Sequence, residues 1–223
     1  MNNLGDLHMR TGNLECARNS YEEALTIALT FGSVADQVTA QTNLAGLLLM
    51  SDDAHDLTSG LDMYQECLFT FRRLGDRRNE ANALIGIGIG HHRLGRYPEA
   101  AGHHTRALEL ARDIGAAHEE AHALHRLGVA EAALGNLGEA AGHLEMSLAL
   151  ADRTQEREQQ ARSLDALAGV RLQEGRRETA QELWQYAFGI FQELDTSEAA
   201  RIGRKLASLT ETEPHSKRRH RST

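Results

Sequence analysis

The chain has 223 residues and a formal net charge of −8; hydrophobic residues make up 41% but aromatics only 4%, with two prolines and two cysteines. The acidic balance lacks the clustered Lys and Arg that broad phosphate contact needs, so nucleic acid is not the expected partner. Two cysteines are too few for a disulfide framework, no apolar run spans a bilayer and no signal peptide is present, so a cytoplasmic protein without a membrane segment is expected.

Taken in order, the chain repeats itself. A small residue flanked by apolar ones recurs as Leu4-Gly5, Leu44-Ala45, Ile87-Gly88, Leu127-Gly128 and Leu167-Ala168, at spacings of 40, 43, 40 and 40. Self-similarity of this length signals stacked helical hairpins. Seven residues after the marker stand Gly12, Gly95, Gly135 and Gly175; twelve after it stand Ala17, Ala100, Ala140 and Ala180. Nineteen after it come Ala24, Ala107, Ser147 and Ala187. Glycine suits a left-handed helix terminus, and small residues at fixed offsets let two helices approach closely. Gly32 and Gly115 close second helices 27 residues after their markers. Gly75 and Tyr64-Gln-Glu-Cys67 come three residues late, which places an insertion between Ser51 and Gly60. Cys16 and Cys67 fall on interior helix positions and read as small core residues.

Each unit thus reads as two helices: 1–11 with 14–31, 35–50 with 60–74, 78–94 with 97–114, 118–134 with 137–153, and 157–174 with 177–193. The array covers 1–193, in repeats 1–34, 35–77, 78–117, 118–157 and 158–195. A capping helix is expected over 196–210, opened by Ser197 and Glu198. A basic tail over 211–223, with Lys217, Arg218, Arg219 and Arg221, reads as disordered. Aligned on the marker, the first helix lacks its opening turn, leaving Leu4, Leu7 and Met9 short of cover. Further upstream domains of the same polypeptide, or a partner, are expected there.

These residues resemble tetratricopeptide repeats over positions 1–193: Leu-Gly or Leu-Ala in the first helix, Gly at its end, Tyr97 or Leu137 two residues later, then two small residues in the second helix. The period of 40 exceeds the usual 34 and is similar to the long-helix class of kinesin light chains and LGN-type scaffolds. Leu94-Gly-Arg-Tyr-Pro-Glu-Ala100 and Arg106-Ala-Leu-Glu-Leu-Ala-Arg112 also resemble the C-terminal arrays of actinobacterial regulators that join DNA-binding and NTPase parts to such repeats. His104 and Leu144 depart from the aromatic residue usual in the second helix.

The resemblance implies an all-α, right-handed superhelical solenoid whose first helices line a concave groove. Groove-facing positions then include Asn3, Asp6, Asn43, Leu49, Asn82, Ile85, Ile89, His92, His122, His125, Arg126, Arg162 and Asp165. In the kinesin light chain and LGN-like groups an asparagine two before the marker contacts peptide backbone; Asn3 and Asn43 match it, whereas Gly86, Arg126 and Ala166 depart. An amide can donate and accept at once, which suits an extended peptide. The implied function is a non-catalytic module that holds a protein or peptide partner, with Leu49, Ile85, Ile89 and Leu172 as apolar anchors and no cofactor. The alternative is the sensor portion of a bacterial transcriptional regulator.

Four local motifs compete with this reading. His118-Glu-Glu-Ala-His122 matches the H-E-x-x-H zinc pattern. The aligned segments Ala35-Asp-Gln-Val-Thr39, Arg78-Asn-Glu-Ala-Asn82 and Glu158-Gln-Gln-Ala-Arg162 open the first helix of their own units, so the motif reads as repeat wording. His125 lies about 10 Å along the helix from His118, too far for one tetrahedral ion, and no metal or catalytic site is expected. Eight of the twelve histidines fall between His91 and His143, either as polar filler or as a groove whose charge changes between about pH 5 and 8. Ile85-Gly-Ile-Gly-Ile-Gly90 lacks phosphate-loop spacing and predicts a soft first helix in the third repeat. Asp52, Asp53, His55 and Asp56 read as a solvated loop.

Overall fold

The computed structural model describes residues 2–211. The chain runs through α1 (Asn2–Arg10), α2 (Leu14–Phe31), α3 (Val34–Leu48), α4 (Ala54–Leu74), α5 (Arg77–Arg93), α6 (Tyr97–Asp113), α7 (Ala117–Leu134), α8 (Leu137–Arg153), α9 (Arg157–Gln173), α10 (Arg177–Glu193) and α11 (Glu198–Glu211). The described residues contain no strand. The expected disordered tail lies, from residue 212 on, outside them.

Local chemistry explains the punctuation. Gly12, Gly75, Gly95, Gly115, Gly135 and Gly175 all adopt positive φ, the left-handed conformation in which a side chain is costly. The two later inter-repeat turns use Gln155 and Asp195 in that conformation instead. Gly32 differs from expectation: it ends α2 with φ −88, and a capping box between Ser33 and Asp36 starts α3 at once. Pro98 sits in the first turn of α6, where its missing N–H leaves no bond unmade.

The insertion in the second repeat also departs from expectation. It lengthens a helix rather than a loop, because Asp53 accepts hydrogen bonds from the backbone N–H groups of His55 and Asp56 and so starts α4 at Ala54. Asp56 pairs with Arg18 at 2.8 Å and Asp52 with Arg93 at 2.8 Å. These acids tie the second hairpin to its neighbours.

Each helix packs on the next, and the first helices of successive pairs also touch, α5 on α7 and α7 on α9. Ala17, Ala100, Ala140 and Ala180 are fully buried, as the close approach of paired helices requires. Sixteen residues after the marker a large side chain lies over the marker itself. A Cβ on Gly5 would fall 2.3 Å from the Tyr21 ring, one on Gly88 2.3 Å from His104, and one on Gly128 2.7 Å from Leu144. Trp184 takes this place in the last repeat, and Tyr64, displaced by the insertion, lies over Gly86. The core therefore runs along the whole stack. Cys67 is buried in it, whereas Cys16 is only partly covered. At the end, α11 packs on α10, placing Ile202 and Leu209 against the cluster of Trp184 and Phe191. No described helix is long and apolar enough to cross a membrane.

Candidate partner-binding groove

The first helices α5, α7 and α9 touch one another in succession, and their register brings polar residues of successive repeats together. Not all the expected groove residues remain available to a partner. Leu49 is 4% exposed and Ile85 7%, so both give their surface to internal packing. The reason is geometric: Leu49 follows the last turn of α3 and reaches the backbone of Gly60 and Gly90, while Ile85 belongs to the core around α5. Ile89 is half-buried and Leu172 exposed. As anchors, Leu49 and Ile85 give way to these two.

Asp165 is also committed. It accepts hydrogen bonds from Trp184 Nε1 at 2.8 Å, Arg201 at 2.8 Å and Lys205 at 2.5 Å. Burial would raise its carboxyl, but Lys205 and Arg201 outweigh burial and hold it below the usual carboxylate range. Arg162 pairs with Glu158 at 2.6 Å. At the other end Asn3 is exposed and Asp6 accepts a hydrogen bond from the Tyr21 hydroxyl at 2.6 Å. Burial and this carboxylate both raise the Tyr21 phenol. Asn43 and Asn82 are half-buried.

The middle of the array is different. The side chain of Arg126, on α7, makes no hydrogen bond or ion pair among the described residues. Burial pushes its guanidinium down to about 10, and Arg162 adds to the shift. Its charge in turn bears on His92, His104, His122 and His125, each depressed first by burial. His104 and His122 are both pushed down to about 3. Tyr64 closes the same region, its phenol raised by burial to about 12. His92 tilts against Tyr97 with ring centroids 5.1 Å apart. Nitrogens of His91, His92, His103, His104 and His125 are buried without a partner. The centre of the groove is thus one unpaired guanidinium among neutral imidazoles.

The histidine pair that opens α7 has a neighbour that sequence spacing does not reveal. His118 Nδ1 lies 2.7 Å from Glu156 Oε2, and the His118 and His122 rings are 4.4 Å apart. Glu156 stands at the N-cap of α9 but makes no capping bond. An acid at a cap position is the only trace of this in the sequence.

Profiles described as tetratricopeptide repeat match residues 53–113 and 1–30. The chain contains tetratricopeptide repeats. No curated protein matches its sequence. Among solved structures, the Rap conjugation gene regulator of plasmid pLS20 in complex with the Phr* peptide superposes with a TM-score of 0.82 at 16% identity, over 95% of this chain and 58% of that one. A Signal Transduction ATPase with Numerous Domains from Pyrococcus horikoshii, which has a tetratricopeptide repeat sensor, gives 0.67 at 17% identity, over 93% of this chain and 32% of that one. A putative kinesin light chain from Podosopora anserina gives 0.63 at 16% identity, over 87% and 94%. At these identities the likeness is one of fold. The tetratricopeptide array is an all-α solenoid of antiparallel helix pairs.

Proposed function

We propose that the array is a non-catalytic module that binds a segment of a partner protein along its first helices, with an anionic group of that segment against Arg126. The observation that carries this reading is the unpaired Arg126 guanidinium among neutral imidazoles. A carboxylate could accept from it in a partly dry site, where charge-assisted hydrogen bonds are strongest. Arg162 and His92 lie close enough to orient such a segment, and Ile89 offers apolar area beside them. A solved relative in fold carries a peptide, which agrees with this use of the solenoid.

Selection from a random peptide library on the full chain tests the proposal. Selected peptides are expected to carry Asp, Glu or a free terminal carboxylate. Arg126→Met is expected to weaken them about tenfold or more, the usual loss on removing a charged hydrogen-bond partner. Peptides that bind Arg126→Met as tightly as the wild type would move the site elsewhere. The second reading, a sensor portion of a larger regulator, is favoured by the likeness to the sensor-bearing ATPase. It uses the same groove.

A further inference from the structure

His118 and His122 stand one turn apart at the start of α7, and Glu156 reaches them from the junction of α8 and α9. Each offers one ligand atom, and these atoms all lie within 4.8 Å of one another. The repeat does not dictate the set. The equivalent places hold Arg78, Asn82 and Ala116 one repeat earlier, and Glu158, Arg162 and Thr196 one repeat later. Neither offers an imidazole.

Neighbouring charges leave Glu156 free to serve. Arg162 pairs with Glu158, and Arg157 pairs with Glu193 at 2.6 Å. Glu119, the residue that the H-E-x-x-H pattern would use as a base, is 3% exposed and faces Arg78 at 3.7 Å. Hydrolytic chemistry of that kind is therefore not what the pair supports.

We propose that His118, His122 and Glu156 bind a divalent transition metal of the zinc class, clasping α7 to the start of α9. Two imidazoles with one carboxylate favour zinc, cobalt or nickel over calcium and magnesium, which want oxygen ligands. Tetrahedral ligands about 2.0–2.1 Å from zinc lie about 3.4 Å from each other, so short shifts suffice: His118 Nδ1 and Glu156, 2.7 Å apart, would exchange their hydrogen bond for the metal. The His118 side chain, 55% exposed, can swing to do so. The fourth position is left for water or a partner group. The site lies in an open cleft that also includes Arg162 and Leu194.

Zinc and cobalt(II) titrations of the full chain, without an affinity tag, test this. The expected result is one ion per chain, with the visible absorption of tetrahedral cobalt and a higher melting temperature. His118→Ala, His122→Ala and Glu156→Gln are each expected to weaken zinc about tenfold or more, while His8→Ala and His55→Ala leave it unchanged. Circular dichroism without metal checks that each variant is folded. Failure to bind a stoichiometric ion, or affinity unchanged in the His118→Ala, His122→Ala double variant, would overturn the site. Because the readout is the metal itself, failure here is distinct from failure of the groove to bind peptide.

Discussion

At the residue scale, His104 shows how a neighbour decides the chemistry of a side chain. Its ring lies over Gly88, 1% exposed, with Nδ1 unpartnered. Burial pushes it down to about 3, whereas an unfolded chain titrates near 6.5. Between these values the unfolded chain binds a proton that the folded one refuses. The full stability is present above pH 6.5 and is lost as pH falls toward 3, by about 1.4 kcal/mol per pH unit for each such group. His125, also buried, acts in the same direction. The urea midpoint is expected to drop between pH 7 and pH 5, and His104→Leu, which copies Leu144 of the next repeat, should make that drop shallower. Equal pH dependence in both proteins would contradict this. The histidine cluster was legible in the sequence, but burial that keeps its members neutral was not. A groove whose charge switches near neutral pH is not what buried, depressed imidazoles favour.

At the element scale, glycines inside helices divide by what stands over them. Gly88→Ala would place a methyl group 2.3 Å from His104, and overpacking is expected to destabilise the array by about 1–2 kcal/mol. Gly102, in α6, has open space around its Cβ position, so Gly102→Ala should stabilise by about 0.5–1 kcal/mol through helix propensity alone. Urea unfolding of the two variants measures both signs, and stabilisation by Gly88→Ala would refute the packing account. The same distinction bears on α5, where Gly86 makes room for Tyr64 and Gly90 lies close to Leu61. Burial from Ala81 to Gly90 opposes the softness that propensity predicts for this helix. Amide exchange in α5 that is slower than in α6 would show that packing wins. Helix α4 teaches a related lesson: the extra residues were visible as a shifted period, but the Asp53 cap decided that they would extend a helix.

For the whole molecule, the stack ends on charge as well as apolar cover. Arg201 and Lys205 of α11 reach back to the buried Asp165 on α9. Removing both cations leaves that carboxylate with Trp184 alone, so Arg201→Ala with Lys205→Ala is expected to cost about 3 kcal/mol. The loss should concentrate in α9 and α10, read as faster amide exchange there than in α5 and α6. Uniform loosening along the array would argue against a local role for this contact. In a solenoid each repeat contacts only its neighbours, which is why the effect should stay near the end.

The sequence by itself determined the period, the paired helices, the placement of turns and the small residues that let helices approach. These follow from short-range rules: helical spacing, left-handed glycines and the volume of a side chain at a fixed offset. Only the tertiary structure decided which polar residues of the first helices are spent and which are left. Asp165 is used by α11, Leu49 and Ile85 are packed inside, Arg126 is unpaired, and Glu156 comes to His118 from 38 residues away. Such pairings depend on how side chains of neighbouring repeats point across the stack, and periodicity along the chain carries no information about that.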